Sequence, residues 1–221
     1  MMAKGEQSVE VHGRAQRRAL RTRQRLLEAA LAMFTDKGLD ATTIEDITER
    51  ADVGKGTFYR HFASKDEVML ALIEQAVDHL AEYIGRMQQQ PSSLEQSLEH
   101  LLDAHSKFFK EHADEFVLMF QGRVLLKLQR DIGEELGQPY LRYLREIEQR
   151  VAPYVPQPVD GVKVRRLSCA VAGFVSGFFS FAMIGMAAGE METSLAPLRR
   201  AFVAASSTFL GREEAVPRAS A

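Results

Sequence analysis

Apolar positions along this chain recur at three and four spacing almost throughout, which is the period of an amphipathic helix and not of a strand. Between Arg14 and Lys37, the apolar residues Leu20, Leu27, Ala30, Leu31 and Phe34 share one face, and Gly38 follows as a C-cap. Thr42 with Glu45 three residues on has the form of a capping box, opening a short helix with Ile44, Ile47 and Ala51 on one side. Asp52-Val53-Gly54 breaks it, with Gly54 free to take positive φ. Lys55 to Phe62 is a third helix of about two turns. Ser64 and Glu67 repeat the helix-start chemistry and predict a long helix to about Gln90, halted at Pro91-Ser92-Ser93. Further helices are predicted over Leu94 to Glu111, Ala113 to about Arg130, Pro139 to about Val151, Val162 to Ala188 and Met191 to Leu210. Gly133 and Gly137 interrupt the pattern before Pro139, and Pro153, Pro156 and Pro158 make Ala152 to Gly161 a loop. Met1 to Gly13 reads as a disordered tail and the residues from Gly211 as a frayed one.

The expected fold is therefore all-α with about nine helices. Residues 14–66 form a helix-turn-helix unit, and 67–211 form a larger helical domain. Composition agrees: of 221 residues 46% are hydrophobic, with no Trp and many strong helix formers. The net charge of −2 does not point to nucleic acid, but its distribution changes that picture. From Arg14 to Lys65 eleven Lys/Arg stand against seven Asp/Glu, a local +4. The single cysteine, Cys169, excludes an internal disulfide framework and a Cys-based zinc site; buried in an apolar helix, it reads as an inert thiol. The polar start lacks the apolar stretch of a secretory signal, so a cytoplasmic location is expected.

Three short helices with a tight turn before the third make a helix-turn-helix, whose last helix enters the major groove. Here Phe58 and Phe62, four apart, form the anchoring side. The other side carries Lys55, Gly56, Thr57, Tyr59, Arg60 and His61. Lys55 and Arg60 suit phosphate or guanine, Thr57 suits phosphate or a thymine methyl, Tyr59 brings a hydroxyl on a stiff arm, and Gly56 permits close backbone approach. The helix starts at Thr42/Thr43 and Ser64/Lys65 can donate amides to phosphate. Arg14, Arg17, Arg18, Arg21 and Arg23 have two readings, a basic arm on the duplex or a solvated tail.

The run Thr42-Thr43-Ile44-Glu45-Asp46-Ile47, then Ala51-Asp52-Val53-Gly54-Lys55-Gly56-Thr57-Phe58-Tyr59-Arg60-His61-Phe62, then Ser64-Lys65-Asp66, resembles the DNA-binding domain of the TetR family of regulators. The resemblance covers about Arg23 to Leu72. It implies a homodimer, usually a repressor, that binds a palindromic double-stranded DNA operator and leaves it when a small molecule occupies the C-terminal domain. By matching position it implies DNA contacts at Thr42, Thr43, Lys55, Thr57, Tyr59, His61 and Lys65. At Gly54 the family often has Ser or Ala, so a capping side chain and its phosphate contact are absent there.

Leu167 to Gly189 contains no charged residue in 23 positions and is flanked by Lys163, Arg165 and Arg166. Its length reaches the roughly 20 apolar residues that span a membrane. Ser168, Ser176, Ser180 and many small residues favour instead a helix buried in a core or an oligomer interface. The resemblance implies that the last two helices, about 162–188 and 191–210, pair with their copies as a four-helix dimer interface, with no membrane involved.

Phe108, Phe109, Phe116, Met119, Phe120, Leu125 and Leu128, with Phe174, Phe178, Phe181, Met183 and Met186, read either as ordinary core or as the lining of an adaptable cavity. His79, His105, Gln121, Arg123, Tyr140 and Tyr143 are the polar groups placed to orient a ligand. The effector contacts nominated from this set are Phe116, Met119, Phe120, Arg123, Tyr143, Phe174 and Phe178, for a small apolar or amphipathic molecule. No HExxH, Gly-rich phosphate loop or GxSxG motif occurs, which argues against an enzyme. No cofactor or metal is expected: His100 and His105 are five apart and do not share a helical face well, and for His105 and His112, seven apart, the nearest suitable third ligands are only scattered Glu and Asp.

Overall fold

In a computed structural model the chain is described over residues 3–86, 90–128, 133–155 and 160–211; side chains are described over 13–86, 90–120, 122, 137–155, 160–187, 189–191 and 193–209. The side chains of Gln121, Arg123, Leu125 and Leu128 and the tail beyond Gly211 fall outside those ranges. Among the described residues there are nine α-helices and no strand. They are α1 (Ala3–Lys37), α2 (Ile44–Arg50), α3 (Lys55–Phe58), α4 (Lys65–Gly85), α5 (Leu94–Glu111), α6 (Ala113–Leu128), α7 (Gly133–Val151), α8 (Gly161–Gly185) and α9 (Ala188–Gly211). A 3₁₀ turn, Ala152–Tyr154, follows α7.

Two helix starts and the burial of one residue differ from the sequence expectation. Helix α1 begins at Ala3, so the expected tail up to Gly13 is helical. Leu20, expected on the core face of α1, is 61% exposed, because the packed part of the helix starts only at Leu26. Gly137 and Pro139 lie inside α7 and do not precede it.

The expected stop at Pro91-Ser92-Ser93 is confirmed. Ser93 caps α5 by accepting from the Gln96 amide at 3.2 Å. Ser64 caps α4 in the same way, accepting from the Glu67 amide.

Helix α4 buries Val68, Met69, Leu72, Ile73, Ala76, Val77, Leu80 and Ile84, one continuous stripe at helical spacing. That stripe serves two apolar clusters. Val68 to Ile73 join Leu26, Leu27, Phe34, Ile47, Phe58 and Phe62 of the first three helices and the turn after α3. Ala76 to Ile84 join the core built by α5 to α9. At the junction, α6 approaches α4 closely through Gly122. A Cβ there would lie 2.6 Å from Ile73 Cδ1 and 3.1 Å from the Tyr140 hydroxyl. The Tyr140 hydroxyl donates to the Met119 carbonyl, tying α7 to α6 at the same level.

Helix α8 buries Val164, Leu167, Ser168, Val171, Ala172, Val175, Ser176, Phe179 and Ala182 and leaves its other side bare. Phe181 and Ile184 are 77% and 85% exposed, and Leu198 of α9 is 50% exposed. Phe181, Met183 and Met186, read as candidate cavity lining, are all exposed. Cys169 is exposed on the same helix, contrary to the buried thiol expected. Among the described residues one helix, α8, is long and apolar enough to cross a membrane, and under half of its most apolar window is buried within the chain.

His105 is fully buried inside the second core. Its Nδ1 lies 2.6 Å from the Leu101 carbonyl, which can only accept, so Nδ1 carries the proton. Nε2, 2.7 Å from the Tyr143 hydroxyl, is left as the acceptor. Burial pushes the imidazole down to about 4. The unfolded chain, with an ordinary histidine near 6.5, therefore binds the proton first as pH falls. The stability tied to neutral His105 is complete above pH 6.5 and declines as pH drops from 6.5 to about 4. We predict that between pH 7 and 4.5 the wild type loses on the order of 2 kcal/mol more stability than His105→Gln in urea titrations. Parallel losses in the two proteins would contradict a buried neutral His105.

Candidate nucleic-acid interface

The site is assembled from local hydrogen-bond needs. Gly38 ends α1 at φ +82, a left-handed conformation that suits glycine, and its amide bonds to the Phe34 carbonyl at 3.0 Å. Thr42, expected to cap α2 and touch DNA, is instead 1% exposed. Its hydroxyl turns back onto the end of α1, 2.7 Å from the Gly38 carbonyl and 3.0 Å from that of Met33. The cap of α2 lies one residue later. Thr43 accepts from the Asp46 amide at 3.1 Å, and the Asp46 carboxylate accepts from the Thr43 amide at 2.9 Å. Both Thr42…Glu45 and Thr43…Asp46 fit the capping pattern, and burial of the Thr42 hydroxyl decides between them. Lys37, 2.6 Å from Asp46, together with the Thr43 amide holds this carboxyl down to about 2.

The turn between α2 and α3 takes its positive φ at Asp52 (50°), not at the expected Gly54. Arg25 of α1 stabilises it, donating to the Ala51 carbonyl at 2.5 Å and lying 3.5 Å from the Asp52 carboxylate. Gly54 is the extended N-cap of α3, with φ −76, and offers no side-chain cap. Helix α3 is correspondingly short. After Phe58 the chain continues as a turn, with the Tyr59 amide on the Lys55 carbonyl and the Phe62 amide on that of Phe58. What fixes it is burial: Phe58 is 0% and Phe62 2% exposed, with Arg23 stacked 4.9 Å over the Phe62 ring.

Above this anchor lies a polar face. Lys55, Gly56, Tyr59 and Arg60 are exposed, and Thr57 and His61 are half-buried. Tyr59 is 58% exposed, its ring edge-on to Phe58 at 5.5 Å. Arg60 donates to the Thr57 hydroxyl at 2.9 Å, orienting both side chains. A Cβ at Gly56 would meet nothing, so an approaching surface finds open backbone there. Lys55 pairs with Glu45 of α2 and holds that carboxyl below its usual range. Both groups are more than half exposed, so a phosphate can replace Glu45 at little cost. Lys65, expected as a DNA contact, points inward: its ammonium donates to the carbonyls of Leu39 at 2.6 Å and Thr42 at 2.9 Å. It closes the α1–α2 loop and is half-buried.

Among the described residues, none of the expected effector contacts lines the main cleft between α5, α8 and α9. Phe116, Met119, Phe120 and Tyr143 are buried core, Phe174 stacks on Phe202 at 4.5 Å, and Phe178 packs edge-on against Phe179. The Tyr143 hydroxyl is engaged by His105. A cleft of about 610 Å³ lies elsewhere, between α5, α8 and α9. Phe109, Phe179, Met191 and Leu195 line it, with Lys110 and Arg200 among its charged groups. Arg199 bonds Asp103 at 2.5 Å and the Glu99 carbonyl at 2.8 Å, bridging α9 to α5 beside it. Sequence reasoning named Phe109 among its lining candidates but missed the Arg199 bridge and the α9 wall, because the pairing spans nearly a hundred positions and leaves no local pattern.

The fold and this face define a helix-turn-helix unit with an exposed polar side. Residues 26–72 match the family described as bacterial regulatory proteins, tetR family. Among curated relatives, the transcriptional regulator TcmR of Streptomyces glaucescens is 32% identical over 142 residues, 63% of this chain and 61% of the relative. The transcriptional repressor KstR2 of Mycolicibacterium smegmatis is 35% identical over 101 residues, 45% of this chain and 48% of the relative. The match thus spans about half to three fifths of these relatives' length. Of solved structures, GusR of Salmonella enterica superposes with a TM-score of 0.68 at 17% identity, covering 87% of this chain and 97% of that one. The multidrug-binding protein EbrR, solved with imidazole, gives 0.60 at 18% identity, covering 87% and 91%. The fold is therefore shared along most of the chain, while sequence similarity concentrates in its first part.

Two substitutions test how the interface is held. Thr43→Ala removes the cap of α2 and is expected to cost about 1 kcal/mol in urea unfolding. Lys65→Met strips two loop carbonyls of their donor and is expected to cost about 1–2 kcal/mol. Thr42→Ala should also destabilise; a neutral result there, with Thr43→Ala also neutral, would overturn the cap assignment.

Proposed function

We propose that this protein is a ligand-responsive transcriptional regulator, a repressor that binds a palindromic operator as a homodimer and is released by a small apolar or amphipathic effector. One observation carries the reading: the exposed face of Lys55, Gly56, Thr57, Tyr59 and Arg60, with His61 at its edge, set above the buried pair Phe58 and Phe62. Thr43, at the start of α2, adds a second point of approach to the backbone. Lys65 and Thr42 act by positioning these groups. The repressor assignment rests on relatives named as repressors, although one relative is named as the transcriptional activator FasR. A cytoplasmic location follows from the same reading.

The dimer is supported by α8 and α9. The bare side of α8, with Phe181 and Ile184, is contiguous in sequence pattern with exposed Leu198 and small residues of α9. Apolar surface of that kind, on a chain without charges from Leu167 to Gly189, is satisfied by a second copy. The cleft beside Arg199 supports the effector: its apolar floor and charged rim suit an amphipathic molecule, and α9 forms one wall, which links occupancy to the dimer.

Selection of duplexes from a random pool should recover a two-part palindrome with half-sites one helical turn apart or a multiple of it. On that duplex Tyr59→Ala is expected to weaken binding at least tenfold with helix content unchanged. Lys55→Met should weaken it on all sequences and reduce the slope of log affinity against log salt by about one. Failure to enrich any sequence, or unaltered affinity in both variants, would overturn the DNA assignment. Separately, Phe181→Glu with Ile184→Glu should convert a dimer to a monomer in sedimentation equilibrium. A wild type that is monomeric, or a variant that stays dimeric, would reject the α8 interface.

A further inference from the structure

Outside the reading face and the cleft, three metal-binding side chains converge. His79 lies in the middle of α4, His112 caps α5 at the corner before α6, and Glu115 stands in the first turn of α6. His79 Nδ1 is 2.8 Å from Glu115 Oε2, and His112 Nδ1 is 3.5 Å from Glu115 Oε1. Among the described residues, these three offer one ligand atom each within 4.8 Å of one another. Four-coordinate zinc, with bonds of about 2.1 Å, places neighbouring ligand atoms about 3.4 Å apart. Side-chain adjustments of under an ångström or so bring this trio to that spacing.

The surroundings hold the trio in place. The His112 ring stacks on Phe108 at 5.3 Å and meets the Tyr83 ring edge-on at 5.8 Å. His112 has left the helix, at φ −137 and ψ 51, so its ring is aimed by the corner and not by helical periodicity. The His79 and His112 rings lie 5.4 Å apart. Glu115 is nearly buried, whereas the two histidine side chains are each about a third exposed, which leaves an approach from solvent. Tyr83 donates to Glu111, which engages that neighbouring carboxylate outside the trio.

We infer that His79, His112 and Glu115 bind a divalent transition-metal ion, tying α4 to the α5–α6 corner. Two imidazoles and one carboxylate favour zinc, cobalt, nickel or ferrous iron over magnesium or calcium, which prefer all-oxygen sites. Three protein ligands leave a fourth position for water or an exchangeable ligand atom. Because α4 also carries Val68 to Ile73 of the first core, an ion here would restrain the helix that leads to the reading face.

The test uses the full chain, treated with chelator, desalted and titrated with cobalt(II) as a spectroscopic probe. One ion per chain is expected, with visible ligand-field bands that zinc(II) abolishes by displacement, and a raised melting temperature with either ion. His79→Ala and His112→Ala should each weaken binding at least tenfold. Glu115→Gln keeps the shape and a hydrogen-bonding partner for His79, so it should fold like the wild type and still lose binding. His100→Ala, outside the trio, should bind as the wild type does. Absence of saturable binding, or binding of equal strength in Glu115→Gln, would overturn the site. Loss of binding in His100→Ala with retention in His112→Ala would overturn it as well.

Discussion

Burial of a single stripe of α4 in two separate apolar clusters is the constraint on which the arrangement depends. Neither cluster closes without it: Leu72 and Ile73 complete the packing beneath α1 to α3, and Leu80 and Ile84 complete the packing of the remaining helices. The 21 residues of α4 form an unbroken helix about 30 Å long, so its two ends cannot move independently. The close crossing at Gly122, beside Ile73 and Tyr140, sits where the two clusters meet. A larger side chain there would have to displace Ile73, which belongs to the first cluster, from a residue that belongs to the second half of the chain.

The parts of this organisation that depend on neighbours in sequence were legible before the structure. The stripe of α4, its Ser64 cap, the restart at Ser93, the stop at Gly38 and the Phe58/Phe62 anchor all follow from spacing and capping chemistry. Errors arose where two local solutions were equally good. Thr42 and Thr43 each begin a capping pattern, and only the buried carbonyls of α1 distinguish them. Gly54 is freer than Asp52, yet Asp52 takes the positive φ because Arg25 bridges its loop. The packing of the candidate cavity residues was hidden for a different reason. Phe116, Met119 and Phe120 have the composition of a lining, but whether such residues fill a space or border one is settled by helices far away in sequence. The His79, His112 and Glu115 cluster was invisible on similar grounds, since His79 lies 36 residues before Glu115.

Helix α8 combines a composition that suits a bilayer with packing inside the chain. Its apolar residues surround the whole circumference, but one side packs on α5, α7 and α9 while the other stays bare. The small residues Ala170 and Gly173 on the bare side leave the backbone accessible, which permits close helix approach in water as in lipid. Asp160 caps its start through the amides of Val162 and Lys163, and Arg165 pairs with Glu148 of α7, so its first turns are fixed by polar contacts.

The reading face also has an evolutionary corollary. Lys55, Gly56, Tyr59 and Arg60 stand on a short helix and the turn after it, whose position is dictated by Phe58 and Phe62, and their own contacts within the chain are exposed and weak. Replacements at such positions leave stability nearly unchanged, whereas replacements of the anchoring phenylalanines do not. Selection can therefore explore new side-chain combinations on this surface without approaching the threshold at which the protein unfolds. The separation of anchor from surface, only one residue apart in sequence, gives a lineage freedom to acquire new binding preferences while keeping an old scaffold.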